Sequence, residues 1–367
     1  MWEYASSFDT LAVAQAFAGS ASEAIATSNE GNRLAQSLRK QISAARTSQL
    51  AQLQHARAES AIAAIVKAAA NRQIVILNEA HNVSMHRAFA MKLARELRRM
   101  GFDYLACETF ATDHPNPIAG GYVHPNDGYF SREPMYATFL QDAAADGWKF
   151  VSYEPASKAG VSPEQHARRR DYEMARNIVT RILEKNPKAR IFMYVGYGHG
   201  SKMPLSQSED DKPSHVGAQL RRLTGIDPLS IDQVTLFPEY QTREQQTLYR
   251  AAVKFHPLTQ PFVLSTRGGQ FLTVGKLPGQ YDLQVVYPGY GIDKETMRPT
   301  WMAKLAGLAP MKAPADMLPK SGRRLLYAFR ENSPDDAIAL DIISTTAGQA
   351  APSFMLAPGR YRYRYED

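Results

Sequence analysis

Four short apolar runs in the middle of this chain each end on a residue that can handle a proton. Gln73–Leu77 runs into Asn78-Glu79-Ala80-His81, and Tyr104–Cys107 runs into Glu108-Thr109. Phe150–Tyr153 is followed by Glu154-Pro155, and Ile191–Val195 by Gly196-Tyr197-Gly198-His199. Imidazole can take or give a proton near neutral pH. A carboxylate beside it fixes its tautomer and raises its basicity. The expected division of labour makes His81 the general base that activates water, with Glu79 and Glu108 orienting the ring or the water. His199 would polarise a carbonyl or protonate a leaving group, and Glu154 adds a third acid. Arg170 lies seven residues before Asn177 on one helical face and could bind an oxyanion or a substrate carboxylate. The same set, read as His81, Glu108 and His199, could instead hold a divalent metal such as Mn, Co or Zn with a position open for water. Each residue has a plainer alternative. A strand-end histidine can be a solvated loop residue, a glutamate can cap the next helix, and Arg170 can close a structural salt bridge. Their joint occurrence at successive strand ends favours one shared cleft.

The elements that must position these residues follow from the hydrophobic pattern. Between residues 72 and about 236, short apolar strands alternate with amphipathic helices. Met85, Phe89, Leu93 and Leu97 recur every four residues, with Arg87, Arg95, Arg98 and Arg99 expected on the other faces and Gly101 at the C-cap. Ser162-Pro163-Glu164-Gln165 opens a helix that ends near Asn186-Pro187. This alternation predicts an α/β fold with a mostly parallel sheet covered by helices. In such sheets ligands bind outside the carboxyl ends of the strands. The expected organisation is a helical N-terminal segment over 1–70, an α/β catalytic core over 71–245 and a β-rich C-terminal region over 246–367. The N-terminal helices would pack on the core or act as a dimerising arm. The C-terminal strand candidates are PFVLSTR, QFLTVGK, YDLQVVYP, RRLLYAFR, AIALDIIS and GRYRYRYE. Residues 111–135 and 201–215 are long irregular loops beside the strand ends, expected to act either as lids or as mobile solvated loops.

Composition sets outer limits. The 367 residues are 44% hydrophobic and 22% charged, with a net charge of +7. That is a globular composition with material for a sizeable core. The basic residues are spread along the chain, so no nucleic-acid partner is expected; a small-molecule or peptide substrate is. One cysteine, Cys107, excludes an intramolecular disulfide and four-cysteine zinc sites, and strand alternation turns it away from Glu108 toward the core. No run is long enough for a transmembrane span. As written the chain reads as cytoplasmic; a removed signal peptide would make it periplasmic or secreted. Neither a Gly-x-Ser-x-Gly elbow nor a His-Glu-x-x-His helix is present. Gly196-x-Gly198-x-Gly200 lacks the final spacing of a dinucleotide fingerprint.

The residues carry a resemblance. The strand followed by Asn78-Glu79-Ala80-His81, the strand ending in Glu108-Thr109, and the strand ending in Gly196-Tyr197-Gly198-His199 resemble the superfamily of erythromycin esterases, ChaN-type haem-binding lipoproteins and TraB/Tiki proteins. Arg170-Asp171-Tyr172-Glu173-Met174-Ala175-Arg176-Asn177 is similar to a helix of the esterase branch, and Ser214-His215-Val216-Gly217-Ala218-Gln219-Leu220 to the stretch after the late histidine. Asn78 stands where the family has glycine, and His86 falls near a second histidine of the ChaN branch. The resemblance covers about 72–236. It implies a hydrolase, esterase- or amidase-like, with Glu79, His81, Glu108 and His199 at its centre. The ChaN branch implies the alternative of haem or metal binding without catalysis, with a histidine or one of Tyr104, Tyr122, Tyr129, Tyr153 and Tyr197 on the iron.

Overall fold

The computed structural model describes residues 2–37, 47–156, 162–203, 215–238 and 243–367. The chain opens with helices α1 (Trp2–Phe17), α2 (Ala21–Ser37) and α3 (Thr47–His55), followed by strand β1 (Arg57–Ser60) and α4 (Ala61–Ala69). The alternating region is β2 (Ile74–Glu79), α5 (Ser84–Arg99), β3 (Tyr104–Cys107), α6 (Pro134–Ala145), β4 (Lys149–Val151), α7 (Pro163–Ile178), β5 (Ile191–Gly196), α8 (Val216–Thr224) and β6 (Leu229–Asp232). Then come α9 (Arg243–Phe255), β7 (Phe262–Ser265), β8 (Leu283–Val286), α10 (Trp301–Lys304) and β9 (Ala309–Lys312). The chain closes on β10 (Arg323–Arg330), β11 (Asp341–Thr346), β12 (Ser353–Leu356) and β13 (Tyr361–Glu366).

The fold is α/β. Its eight-stranded sheet has the order β1-β7-β8-β6-β2-β5-β3-β4. From β8 to β4 every pairing is parallel, while β7 runs antiparallel to both β8 and β1. The sheet thus takes β1 from before residue 71 and two strands from beyond residue 245. The central strands β2 and β5 are buried along their whole length, as expected when helices cover both faces. Alternation sorts their side chains. Val75, Leu77, Leu105, Cys107, Phe192 and Tyr194 join the core under α4, α5 and α6. Ile74, Ile76, Ala106, Met193 and Val195 meet Met174, Ile178, Val216 and Leu220 of α7 and α8. Cys107 is a free, fully buried thiol.

Helix α7 starts at Pro163, and after Ile178 its final turn widens into π geometry over Val179–Leu183. The run QFLTVGK is not a strand. Phe271 makes one bridge to Ser265, the Val274 amide is taken by the Gln284 side chain, and Gly275 turns the chain at φ +67°. The C-terminal region builds a three-stranded sheet, β11-β10-β13, and a separate β9-β12 pair.

The first two helices form a hairpin laid on the body. Phe17 packs on Tyr129 with ring centroids 5.3 Å apart, and Ala21 and Ile25 meet the main core. At the hairpin tip Gly19 has φ +76°, and a Cβ there would lie 2.3 Å from the Ile342 carbonyl oxygen of β11. Among the described residues, no helix is long and apolar enough to cross a membrane.

Candidate active site

Strand β2 ends by delivering Glu79 into the protein interior and His81 to the cleft. Buried carboxylates need partners, and Glu79 has them. Its Oε1 accepts from His81 Nδ1 at 3.0 Å, and both oxygens accept from Arg87, at 2.9 and 3.1 Å. Arg87 lies on the first turn of α5 and is fully buried. It also donates to the His81 carbonyl at 2.6 Å and to Glu133 Oε2 at 3.0 Å. Glu133 in turn accepts from Ser84 and from the Tyr136 amide, which caps α6. Burial alone would raise the Glu79 carboxyl, but Arg87 and the hydrogen bonds from His81 and Arg87 outweigh it and hold it at about 2. Glu79 is therefore a fixed anion. It holds the Nδ1 proton of His81 and leaves Nε2 facing the cleft.

The His81 ring is clamped. Phe130 stacks on it with centroids 3.8 Å apart, and Tyr197 meets its edge at 5.0 Å. Beneath it passes the end of β5. A Cβ on Gly196 would lie 2.5 Å from His81 Cε1, 2.7 Å from Nε2 and 3.1 Å from Glu108 Oε2, so only glycine fits there. The next residue, Tyr197, adopts φ +40°, a left-handed conformation unusual for a tyrosine. Its amide is tied to the Glu79 carbonyl at 2.6 Å.

Glu108, at the end of β3, accepts from the Gly196 amide through Oε2 and from Arg170 through Oε1 at 2.8 Å. Burial pushes its carboxyl up, yet His81, His199, Arg170 and the Gly196 amide together bring it below its ordinary value. Arg170 is the hub of the far side. It grips Glu154 through Nε at 3.0 Å and Nη2 at 2.5 Å, and its Nη1 meets His199 Nε2 at 3.0 Å. His199 Nδ1 pairs with Asp171 Oδ1 at 2.6 Å, and the same oxygen accepts from the Val216 amide. This fixes the His199 tautomer with its proton on Nδ1. Burial opposes protonation of His199, but Asp171 and Glu108 outweigh it and raise its pKa. Burial also raises Glu154, with Glu108 adding to it against Arg170.

The six residues singled out in the sequence therefore occur in one connected array: Glu79, His81, Glu108, Arg170, Glu154 and His199. Arg170 already holds two carboxylates and a histidine, so an oxyanion could reach it only by displacing one of them. His81, Glu108 and His199 do not form a compact ligand set, because the Arg170 guanidinium bridges Glu108 and His199. Among the described residues, the group whose ligand atoms all lie within 4.8 Å of one another is Asp171, His199 and His215. Two imidazoles and a carboxylate fit Mn, Co or Zn, and His215 Nδ1 is buried with no hydrogen-bond partner among the described residues.

Three members of the array were not assigned a role from sequence. Arg87 was expected on an outer face, but all of Ser84–Met91 is buried. Asp171 and Glu133 lie inside an amphipathic helix and an irregular loop, where periodicity carries no sign of pairing. His86 is fully buried. Its Nδ1 accepts from the Ala80 amide, and burial drives its pKa down to about 3. Asn78 is also internal: it donates to Asp232 and accepts from the Gln233 amide, tying β2 to β6. Tyr153 is buried with its hydroxyl on the Tyr194 carbonyl, and Tyr122 lines a different cavity, beside α6. The segment 111–135 folds tightly back, pinned by Asp127 on the Ile118 and His124 amides, and presents Tyr129 and Phe130 to His81. In the other expected lid, residues 204–214 lie outside the described residues. From Tyr197 to Gly200 the chain is a turn, with no helix following through residue 203.

A cavity of about 330 Å³ opens on the His81 end of this array. His81, Tyr129, Phe130 and Tyr197 form its floor, and the α1–α2 hairpin closes it with Asp9, Val13 and Asn32 among others.

No protein-family profile and no curated protein sequence matches this chain. Solved structures do. One described as "Bacterial protein toxins" has 15% identity and TM-score 0.36, covering 53% of this chain and 40% of that one. The type III effector HopBA1 has 16% identity and TM-score 0.32, covering 49% and 86%. RRSP, a MARTX toxin effector domain from Vibrio vulnificus CMCP6, has 13% identity and TM-score 0.35, covering 65% and 41%. The chain spans 32% and 40% of the length of two bacterial toxin structures it matches.

Proposed function

We propose that this chain is a hydrolase of esters or amides that works by direct attack of water, as its resemblance to the erythromycin esterase-like superfamily implies. The observation that carries the reading is the buried Arg87–Glu79–His81 relay. It commits one nitrogen of His81 to a fixed anion and leaves the other beside Glu108, at a cavity large enough for part of a small substrate.

In the proposed reaction a water in the cavity gives a proton to His81 Nε2 while its oxygen bonds to the carbonyl carbon. Glu79 stabilises the imidazolium that results. Glu108 orients the water. The tetrahedral intermediate collapses by breaking the bond to the leaving group, which takes the proton back from His81. Arg170 and His199, held by Glu154 and Asp171, supply positive charge on the far side of Glu108. A metal-assisted version would use Asp171, His199 and His215, which fit such an ion, to add Lewis acidity there.

The reading is tested with a panel of aryl esters and anilides, each assayed with and without chelator. The wild type hydrolyses members of the panel, and Glu108→Gln lowers the rate by roughly 10²-fold. Chelator resistance selects the metal-free version. No hydrolysis across the panel, or an unchanged rate in Glu108→Gln, counts against the proposal.

A further inference from the structure

The α1–α2 hairpin does more than cover the core, because it completes the cavity over His81. Asp9 stands at its rim with part of its surface in solvent. Partial burial raises its carboxyl above the ordinary value. The opposite wall is aromatic. Tyr129, Phe130 and Tyr197 line the cavity, and Tyr129 meets Phe130 nearly at right angles with centroids 5.2 Å apart. In the array that adjoins His81, five carboxylates, Glu79, Glu108, Glu133, Glu154 and Asp171, stand against two guanidiniums, Arg87 and Arg170, and the His199 imidazole. A chain of net charge +7 thus keeps a local excess of negative charge here.

Aromatic faces together with a carboxylate are the arrangement that holds alkylammonium groups, because ring quadrupoles attract a cation that is easily desolvated. A carboxylate-bearing ligand would meet the like charge of Asp9 at the rim. We propose that the hairpin cavity is an ammonium subsite, in which Asp9 and the Tyr129–Phe130–Tyr197 wall select substrates carrying a compact alkylammonium group beside the bond that is cut. Asp9 supplies the counter-charge, the rings supply the aromatic wall, and Asn32 offers a polar contact. The assignment of substrate class rests on the hydrolase reading; the binding itself does not.

The test is calorimetric titration of the full-length protein with choline and with 3,3-dimethyl-1-butanol, which replaces the quaternary nitrogen by carbon at equal shape. Choline binds, and the neutral isostere binds at least about tenfold more weakly. Asp9→Asn weakens choline about tenfold and leaves the isostere unchanged; Tyr129→Leu weakens choline about fivefold. The isostere also reports whether each variant keeps its cavity. Equal affinity for the two probes, no binding of choline, or an unchanged choline affinity in Asp9→Asn overturns the subsite. A wild type that hydrolyses esters yet ignores the charge loses only this inference. One that binds choline and hydrolyses nothing loses only the hydrolase.

Discussion

Arg87 is fully buried, so removing it strands Glu79 and Glu133 as unpaired interior charges. Arg87→Met is expected to cost about 3–5 kcal/mol in urea unfolding, and Glu79→Gln in the same chain to restore part of it. The Glu79 carboxyl, held at about 2 against an ordinary 4.5, makes stability depend on acid. Its contribution is complete above pH 4.5 and is lost as pH falls from there toward about 2. Unfolding across that window should show the loss, and Glu79→Gln should flatten it. His199 works the other way. Its folded pKa is raised, so its linked stability is present below its ordinary 6.5 and is lost as pH rises through the folded value. Asp171→Asn is expected to move the alkaline limb of any rate profile to lower pH, because it removes the negative charge that stabilises the protonated ring. At this scale the sequence was readable where the array sits at strand ends: His81, Glu108, Glu154 and His199 follow apolar runs. Arg87 was not readable, because helical spacing assigns a face but not which face is dry. Asp171 was hidden by the same limit, and Glu133 by lying before α6, where no periodicity applies.

The elements hold these groups through backbone as much as through side chains. Gly196 ends β5 where the His81 ring and Glu108 crowd the chain, and its amide is one of the carboxylate's donors. Gly196→Ala would push a methyl group into the ring. The expected outcome is a roughly hundredfold lower turnover from a misplaced base, with circular dichroism unchanged. Parallel strands β2, β3, β4 and β5 were legible as apolar runs bounded by polar ends. Strand β6, LSID, was harder to see, because four residues with a serine and an aspartate look like a loop until Asp232 is found bonded to Asn78 and Gln284. Strands β9 and β12 pair with each other across a long separation in sequence, and short segments of that kind carry no local signature.

Across the whole molecule, the N-terminal hairpin links the C-terminal sheet to the cleft: its tip rests on β11 and its helices wall the cavity over His81. Gly19→Ala places a Cβ against the Ile342 carbonyl in a conformation alanine resists, at a cost above about 1 kcal/mol. Hydrogen exchange should then accelerate in α1 and α2 while β2 and β5 stay protected. The sequence marked residues 1–70 as helical but could not say what the helices face, since contact with residue 342 depends on the completed fold. The central claim is that His81 is the base. Its most direct measure is the ratio of hydrolytic rates between wild type and His81→Ala, taken beside their urea-unfolding curves. The account predicts a loss of about 10³-fold or more with the unfolding midpoint nearly unmoved; a variant that folds and turns over substrate at the wild-type rate would contradict it.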